Sequence, residues 1–247
     1  MYDGPTALAE AALMAQRLTQ RAAIVVRGSL HPQAIEVLQT YVQSRGGTVL
    51  MRPPTDPATV AAVVVSYPQF AGSVPDLAAA KAEADALGAK LIVYVPTVVA
   101  LGLLPPPTMA DIVAGEGQAL GVGLQFGGPH LGLFACRQEY VRQMPGRLCG
   151  QTVDADGRRS FTLTLNTREQ HIRRDKATSN ICTNQGLMAL AFTVHLSLLG
   201  EHGLPHLAQL NHQAACHLAD ALAAVPGCTI KNTTFFNEFV VCFARPL

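Results

Sequence analysis

Continuous apolar runs, spaced by segments of helical period, constrain this chain most. Ala22–Arg27 (AAIVVR), Ala62–Ser66 (AVVVS) and Lys90–Val95 (KLIVYV) lack the alternation of a strand wetted on one side. Each therefore reads as a strand buried on both faces. Helix patterns lie between them. One covers Ala7–Gln16. A second opens at Ser29 or His31, with Pro32 near its first turn, and runs to about Gln43 before Gly46 and Gly47. A third covers Asp76–Leu87 and stops at Gly88. Thr48–Met51, Asp111–Ala114 and Leu131–Cys136 continue the strand series. Strands and helices alternating at this spacing imply βαβ units, so the fold class is α/β with a mixed, mostly parallel sheet flanked by helices.

The character changes after Gln138. Residues 145–185 hold six of the fourteen arginines. Two amphipathic helices follow, one with Leu187, Leu190, Ala191, Val194 and Leu198 on its apolar face, the other with Leu207, Leu210, Ala214, Leu218 and Leu222. Gly200 and Gly203 separate them. Thr229–Ile230 and Phe239–Phe243 read as paired strands. With 49% apolar and 14% charged residues, the chain can bury a large core, and charge this sparse implies burial against other subunits. A net charge of +1 with no polybasic run predicts neither nucleic acid nor a membrane surface as partner. Leu91–Leu104, the most membrane-like stretch, is interrupted by Pro96, Thr97 and Gly102 and is too short to span. Cysteines at 136, 149, 182, 216, 228 and 242 form no C-x-x-C pair and follow no secretory signal, which predicts reduced thiols in a cytoplasmic protein and no metal site. His202 and His206 have the i, i+4 spacing of metal ligands, but Gly203 and Pro205 spoil a regular helical pair.

Four segments are candidates for chemistry. Asp3-Gly4-Pro5-Thr6 precedes the first helix, where amides and a hydroxyl can hold a phosphate, or where Asp3 or Thr6 is a plain N-cap. His31 follows a strand and opens a helix, at the end of the sheet where α/β proteins collect ligands. Gly115-Glu116-Gly117-Gln118 and Gly127-Gly128-Pro129-His130 suggest close backbone approach to a ligand or neighbouring chain, but match neither the dinucleotide nor the P-loop fingerprint. Arg168 and Arg173, with His171 between them, can grip a carboxylate or phosphate, or form a solvated helix with local Glu–Arg pairing.

The strings MYDGPTALAEAALMA, GEGQALG, FGGPHLG, MPGRLCGQTVDADGRRSFTLTLNTREQHIRRDKATSNICTNQ and FNEFVV closely resemble the alpha-subunit family (subunit 1) of the two-subunit glycine dehydrogenase (decarboxylating), the P-protein of the glycine cleavage system. The resemblance covers almost the whole chain. It implies the aspartate-aminotransferase-like fold of pyridoxal phosphate (PLP) enzymes, with residues 1–225 as the large domain and 226–247 as the start of a smaller, truncated one. It implies a heterooligomer that decarboxylates glycine on PLP and passes the aminomethyl group to the lipoyl arm of H-protein. In that family the Schiff-base lysine belongs to subunit 2, the beta subunit, in an Asn-x-His-Lys segment. Matching its preceding Ala-Asp to Ala110-Asp111 sets Gln118 opposite the His and Ala119 opposite the Lys. PLP is then held by the partner, and this chain alone supplies no catalytic lysine.

The chain departs from the family at Val95-Pro96, where Asp-Pro is common, at Ser66-Tyr67-Pro68-Gln69, at a shortened Arg52–Thr59 loop, and at Pro105–Met109. It also lacks the family's amino-terminal segment and stops soon after FNEFVV, so it reads as a piece of the subunit. Gly4, Thr6, His31, Gln118, His130, Arg168, His171 and Arg173 are the residues expected at a ligand or an interface. Two other readings stand beside this one. The first is a purely structural partner with no active-site residue. The second is a stand-alone PLP enzyme using Lys81, Lys90, Lys176 or Lys231.

Overall fold

The computed structural model describes residues 1–165, 168–181 and 184–245. Cys182, and the parts of the arginine-rich block at 166, 167 and 183, lie outside them. The chain begins with helix α1 (Gly4–Thr19), then β1 (Ala23–Arg27), α2 (Pro32–Ser44), β2 (Thr48–Leu50), β3 (Val60–Ser66), α3 (Leu77–Ala86), β4 (Lys90–Val95), β5 (Ile112–Glu116) and β6 (Gly132–Cys136). The six strands form one sheet in the order β2-β1-β3-β4-β5-β6. All neighbours are parallel except β5 and β6, which run antiparallel.

Register explains why the central strands need apolar residues at every position. Val63 pairs with Leu91, Val64 with Ile92 and Val65 with Val93. Successive side chains point to opposite faces. Val64 and Ile92 join Leu8, Met14 and Leu38 under α1 and α2, whereas Val63, Leu91 and Val93 join Leu77 and Ala84 under α3. Each fully buried Val, Leu or Ile contributes about 1.5–3 kcal/mol relative to an exposed one. Helix α1 is itself covered almost all round, and every residue from Thr6 to Ala15 is buried, Glu10 included.

Beyond the sheet lie the hairpin β7 (Leu148–Val153) and β8 (Arg159–Thr164), a short α4 (Gln170–Arg173), the long α5 (Gly186–Ala223), and β9 (Cys228–Ile230) paired antiparallel with β10 (Val241–Phe243). Asp154 makes the β7–β8 turn, its carboxylate accepting the N–H groups of Asp156 and Arg158 at 2.9 Å each.

The two expected carboxyl-terminal helices are the two arms of α5, and the break between them falls at Gly200 (φ 60°, ψ −163°). Other expectations shift. Helix resumes straight after the kink, so Gly203 does not divide it, and Pro205 falls near the start of the second arm, where proline is tolerated best. The predicted Phe239–Phe243 strand starts only at Val241, since the Val240 N–H goes to the Asn232 side chain at 2.8 Å. The β7–β8 hairpin has no counterpart among the expected elements. By length and composition α5 would suffice to cross a membrane. Its first arm, residues 186–199, is only about 21 Å long at 1.5 Å per residue, against about 30 Å of hydrocarbon core. In α5 the side turned to the protein carries Phe192, Leu196, Leu199 and Leu207 around the buried Ala208 and Phe236. The predicted stripe of Leu187, Leu190, Val194 and Leu198 faces outward, with Leu187 at 69% and Leu198 at 82% exposure.

Candidate functional site

The carboxyl ends of β1, β3, β4 and β5 open onto a cleft of about 450 Å³. The start of α1 forms one wall. Asp3 caps that helix by accepting the Thr6 N–H at 2.7 Å. The N–H of Gly4 points instead to the carboxylate of Glu116, at 2.8 Å, from the end of β5. The other Glu116 oxygen accepts the N–H groups of Gln118 at 2.9 Å and Leu131 at 3.0 Å. One carboxylate thus sits at the positive end of α1 and ties it to β5 and to the entry of β6, where an anion is favoured. Gly4 is required by this closeness: a Cβ there would lie 2.7 Å from the Tyr94 hydroxyl and 3.0 Å from the Glu116 Cβ. Burial, and then the carboxylates of Glu116 and Asp3, push the Tyr94 phenol well above its usual range.

His31 stands across the cleft, at the opening of α2. Its Nδ1 accepts the Gln33 N–H at 3.2 Å, and its ring meets Phe70 edge-on at 4.7 Å. Gln118 donates from Nε2 to the Pro129 carbonyl at 3.1 Å, and Gln185 Nε2 reaches the carbonyls of His130 at 2.7 Å and Tyr2 at 3.0 Å. The topology therefore gathers Asp3, His31, Gln118 and His130 on one cleft, with Gly4 and Thr6 in the helix start behind it. Ala119, next to Gln118, is exposed.

Arg168, His171 and Arg173 lie elsewhere. Arg168 is spent on the backbone: Nη1 donates to Met144 O, Nη2 to Gly146 O at 3.0 Å and Nε to Leu165 O at 3.3 Å. It clamps the approach to β7 against the exit of β8. His171 lines a separate groove with Arg147, Glu169 and Arg174, and Arg173 is exposed on α4. Tyr94, Phe70, Glu238 and Glu116 also line the cleft, and of these only Glu116 lies in one of the four candidate segments, Gly115–Gln118. Its signal there is a carboxylate between two glycines at a strand end.

The cleft's residues do not fit PLP. Its phosphate would need the α1 amides, of which the Gly4 N–H already goes to Glu116 and the Thr6 N–H to Asp3, so two carboxylates stand where the phosphate would sit. Near a protein surface two unit charges 4 Å apart repel by about 4 kcal/mol. None of the four lysines lines the cleft. Lys81 pairs with Asp85 at 2.6 Å, Lys90 donates to the Tyr140 hydroxyl at 2.7 Å, and Lys176 and Lys231 are exposed. What the cleft can do is bind neutral or cationic groups against Asp3, Glu116 and Glu238.

The family model described as glycine cleavage system P-protein matches residues 1–245. A Novosphingobium aromaticivorans protein, named probable glycine dehydrogenase (decarboxylating) subunit 1, is 56% identical over 98% of this chain and 57% of its own length. A Parvibaculum lavamentivorans protein of the same name is 52% identical over 100% of this chain and 58% of its own. This chain thus spans less than three-fifths of those relatives. Among solved structures, an inhibitor-bound glycine decarboxylase (P-protein) of the glycine cleavage system superposes with a TM-score of 0.93 at 41% identity, over 99% of this chain and 58% of that one. A C-DES variant with glycine covalently linked to its PLP cofactor gives a TM-score of 0.60 at 16% identity, over 100% of this chain and 67% of that one, a likeness of fold alone.

Proposed function

This chain belongs to the glycine cleavage system P-protein family, and from that membership we propose that it serves as subunit 1 of a two-subunit glycine dehydrogenase (decarboxylating). In this reading a beta subunit holds PLP, which supplies the electron sink for glycine decarboxylation, and the aminomethyl group leaves on the lipoyl arm of H-protein. This chain contributes structure, surface and cleft residues such as His31 and Gln118, not the cofactor lysine. The observation that carries the reading is Glu116: with Asp3 it takes the N–H groups at the start of α1, a place that would otherwise suit a phosphate. The absence of all four lysines from the cleft supports it. The outward apolar stripe of α5 supplies a surface on which a partner subunit can close.

The test is co-expression with a beta subunit and a glycine–bicarbonate exchange assay with H-protein. Exchange by the pair, and none by this chain alone, is the expected result. No exchange by a properly assembled pair would overturn the proposal. The scaffold reading separates from it through His31→Ala and Gln118→Ala, which leave a pure scaffold's turnover unchanged.

A further inference from the structure

Positive charge gathers at the end of α1 away from the cleft. Arg17 in the last turn of α1, Arg21 just beyond it and Arg45 at the cap of α2 line one cavity of about 370 Å³, together with Gln16, Gln20 and Thr178. That volume is at the low end for small-molecule pockets. Arg21 is committed elsewhere, donating from Nη1 to the carbonyls of Val60, Leu87 and Gly88 at 2.9–3.1 Å. Arg17 makes one bond from Nη2 to Gln143 O at 3.1 Å, while its buried Nε has no partner among the described residues. Arg45 is exposed and enters none of the ion pairs among the described residues.

Compensating negative charge is short. The carboxyl ends of α1 and α2 bring about half a charge each. Glu10 is the one carboxylate acting on Arg17. It is 5% exposed, its Oε2 lacks a partner among the described residues, and burial pushes its carboxyl upward toward the neutral form. Even with Glu10 ionised, three guanidiniums leave the cavity net positive, and Arg168 adds to the field at Arg17. A guanidinium fork matches the paired oxygens of phosphate and carboxylate.

We propose that this cavity is a binding site for a small ligand bearing a phosphate or carboxylate group, held by Arg17 and Arg45 beside the Thr178 hydroxyl. It is separate from the cleft and needs neither cofactor nor partner. The site ties the ends of α1 and α2 to the arginine-rich segment, so its occupant steadies that segment.

Isothermal titration of the full 247-residue chain with inorganic phosphate, and separately with sodium acetate, at an ionic strength fixed by sodium chloride, tests this. Saturable one-to-one binding of at least one of the two anions is expected, with the tighter one identifying the group. Arg45→Gln weakens it at least tenfold and Arg45→Glu abolishes it, both variants keeping the wild-type circular dichroism spectrum because Arg45 is exposed. No saturable binding of either anion, or an Arg45→Gln affinity equal to wild type, would overturn the proposal.

Discussion

Glu116 joins elements far apart in sequence, since its Gly4 contact spans 112 positions and its Leu131 contact 15. Replacing it with Ala strands three backbone N–H groups in a half-buried place, which costs about 1–3 kcal/mol for a buried donor left unmade. Urea denaturation of Glu116→Ala should show a loss of that size, and wild-type stability would contradict the role. That role was not legible in sequence, because a carboxylate between two glycines reads as loop until α1 and β6 are brought beside it. His31 and Gln118 were easier to place, because both follow strands whose apolar runs announce themselves. Glu10 gives a pH test. Burial raises its folded-state pKa above the unfolded value of 4.5, so the folded state holds the proton more tightly. The associated stability is complete below pH 4.5 and is lost as pH rises through the folded pKa. Glu10→Gln should flatten the decline in unfolding free energy between pH 4.5 and neutrality, and an unchanged pH profile would rule this out.

At the scale of elements, the parallel strands were readable because both faces of the sheet are covered and every position must be apolar. The β7–β8 hairpin was not, since its residues are mostly exposed and carry no burial period. Its one local signal is the Asp154–Gly157 turn, with Gly157 at φ 76°. The kink in α5 has a specific cause in Gly200. Its φ of 60° with ψ of −163° is a conformation essentially confined to glycine, and a side chain there costs about 1–3 kcal/mol. No atom stands within 4 Å of a Cβ at that position, so the penalty is conformational, not steric crowding. Gly200→Ala should lower the thermal midpoint in circular dichroism melts. An unchanged or raised midpoint would mean that the kink is not needed.

For the whole molecule, composition alone announced unsatisfied surface, and α5 shows where it lies. Leu187, Leu190, Val194 and Leu198 form an outward stripe on its first arm. Contiguous exposed apolar surface marks an interface or an aggregation site. The isolated chain should therefore self-associate in light scattering at micromolar concentration, and Leu187→Ser with Leu198→Ser should reduce that association and weaken beta-subunit capture at least tenfold. A sharp monomer peak from the unmodified chain would contradict this. In the proposed function, carboxylates of this chain occupy the start of α1 and a partner subunit holds PLP. Borohydride reduction of the co-expressed pair, followed by peptide mass mapping, tests that most directly. The expected product is a phosphopyridoxyl-lysine on the partner and none on Lys81, Lys90, Lys176 or Lys231. A stoichiometric phosphopyridoxyl group on any of those four lysines would contradict it.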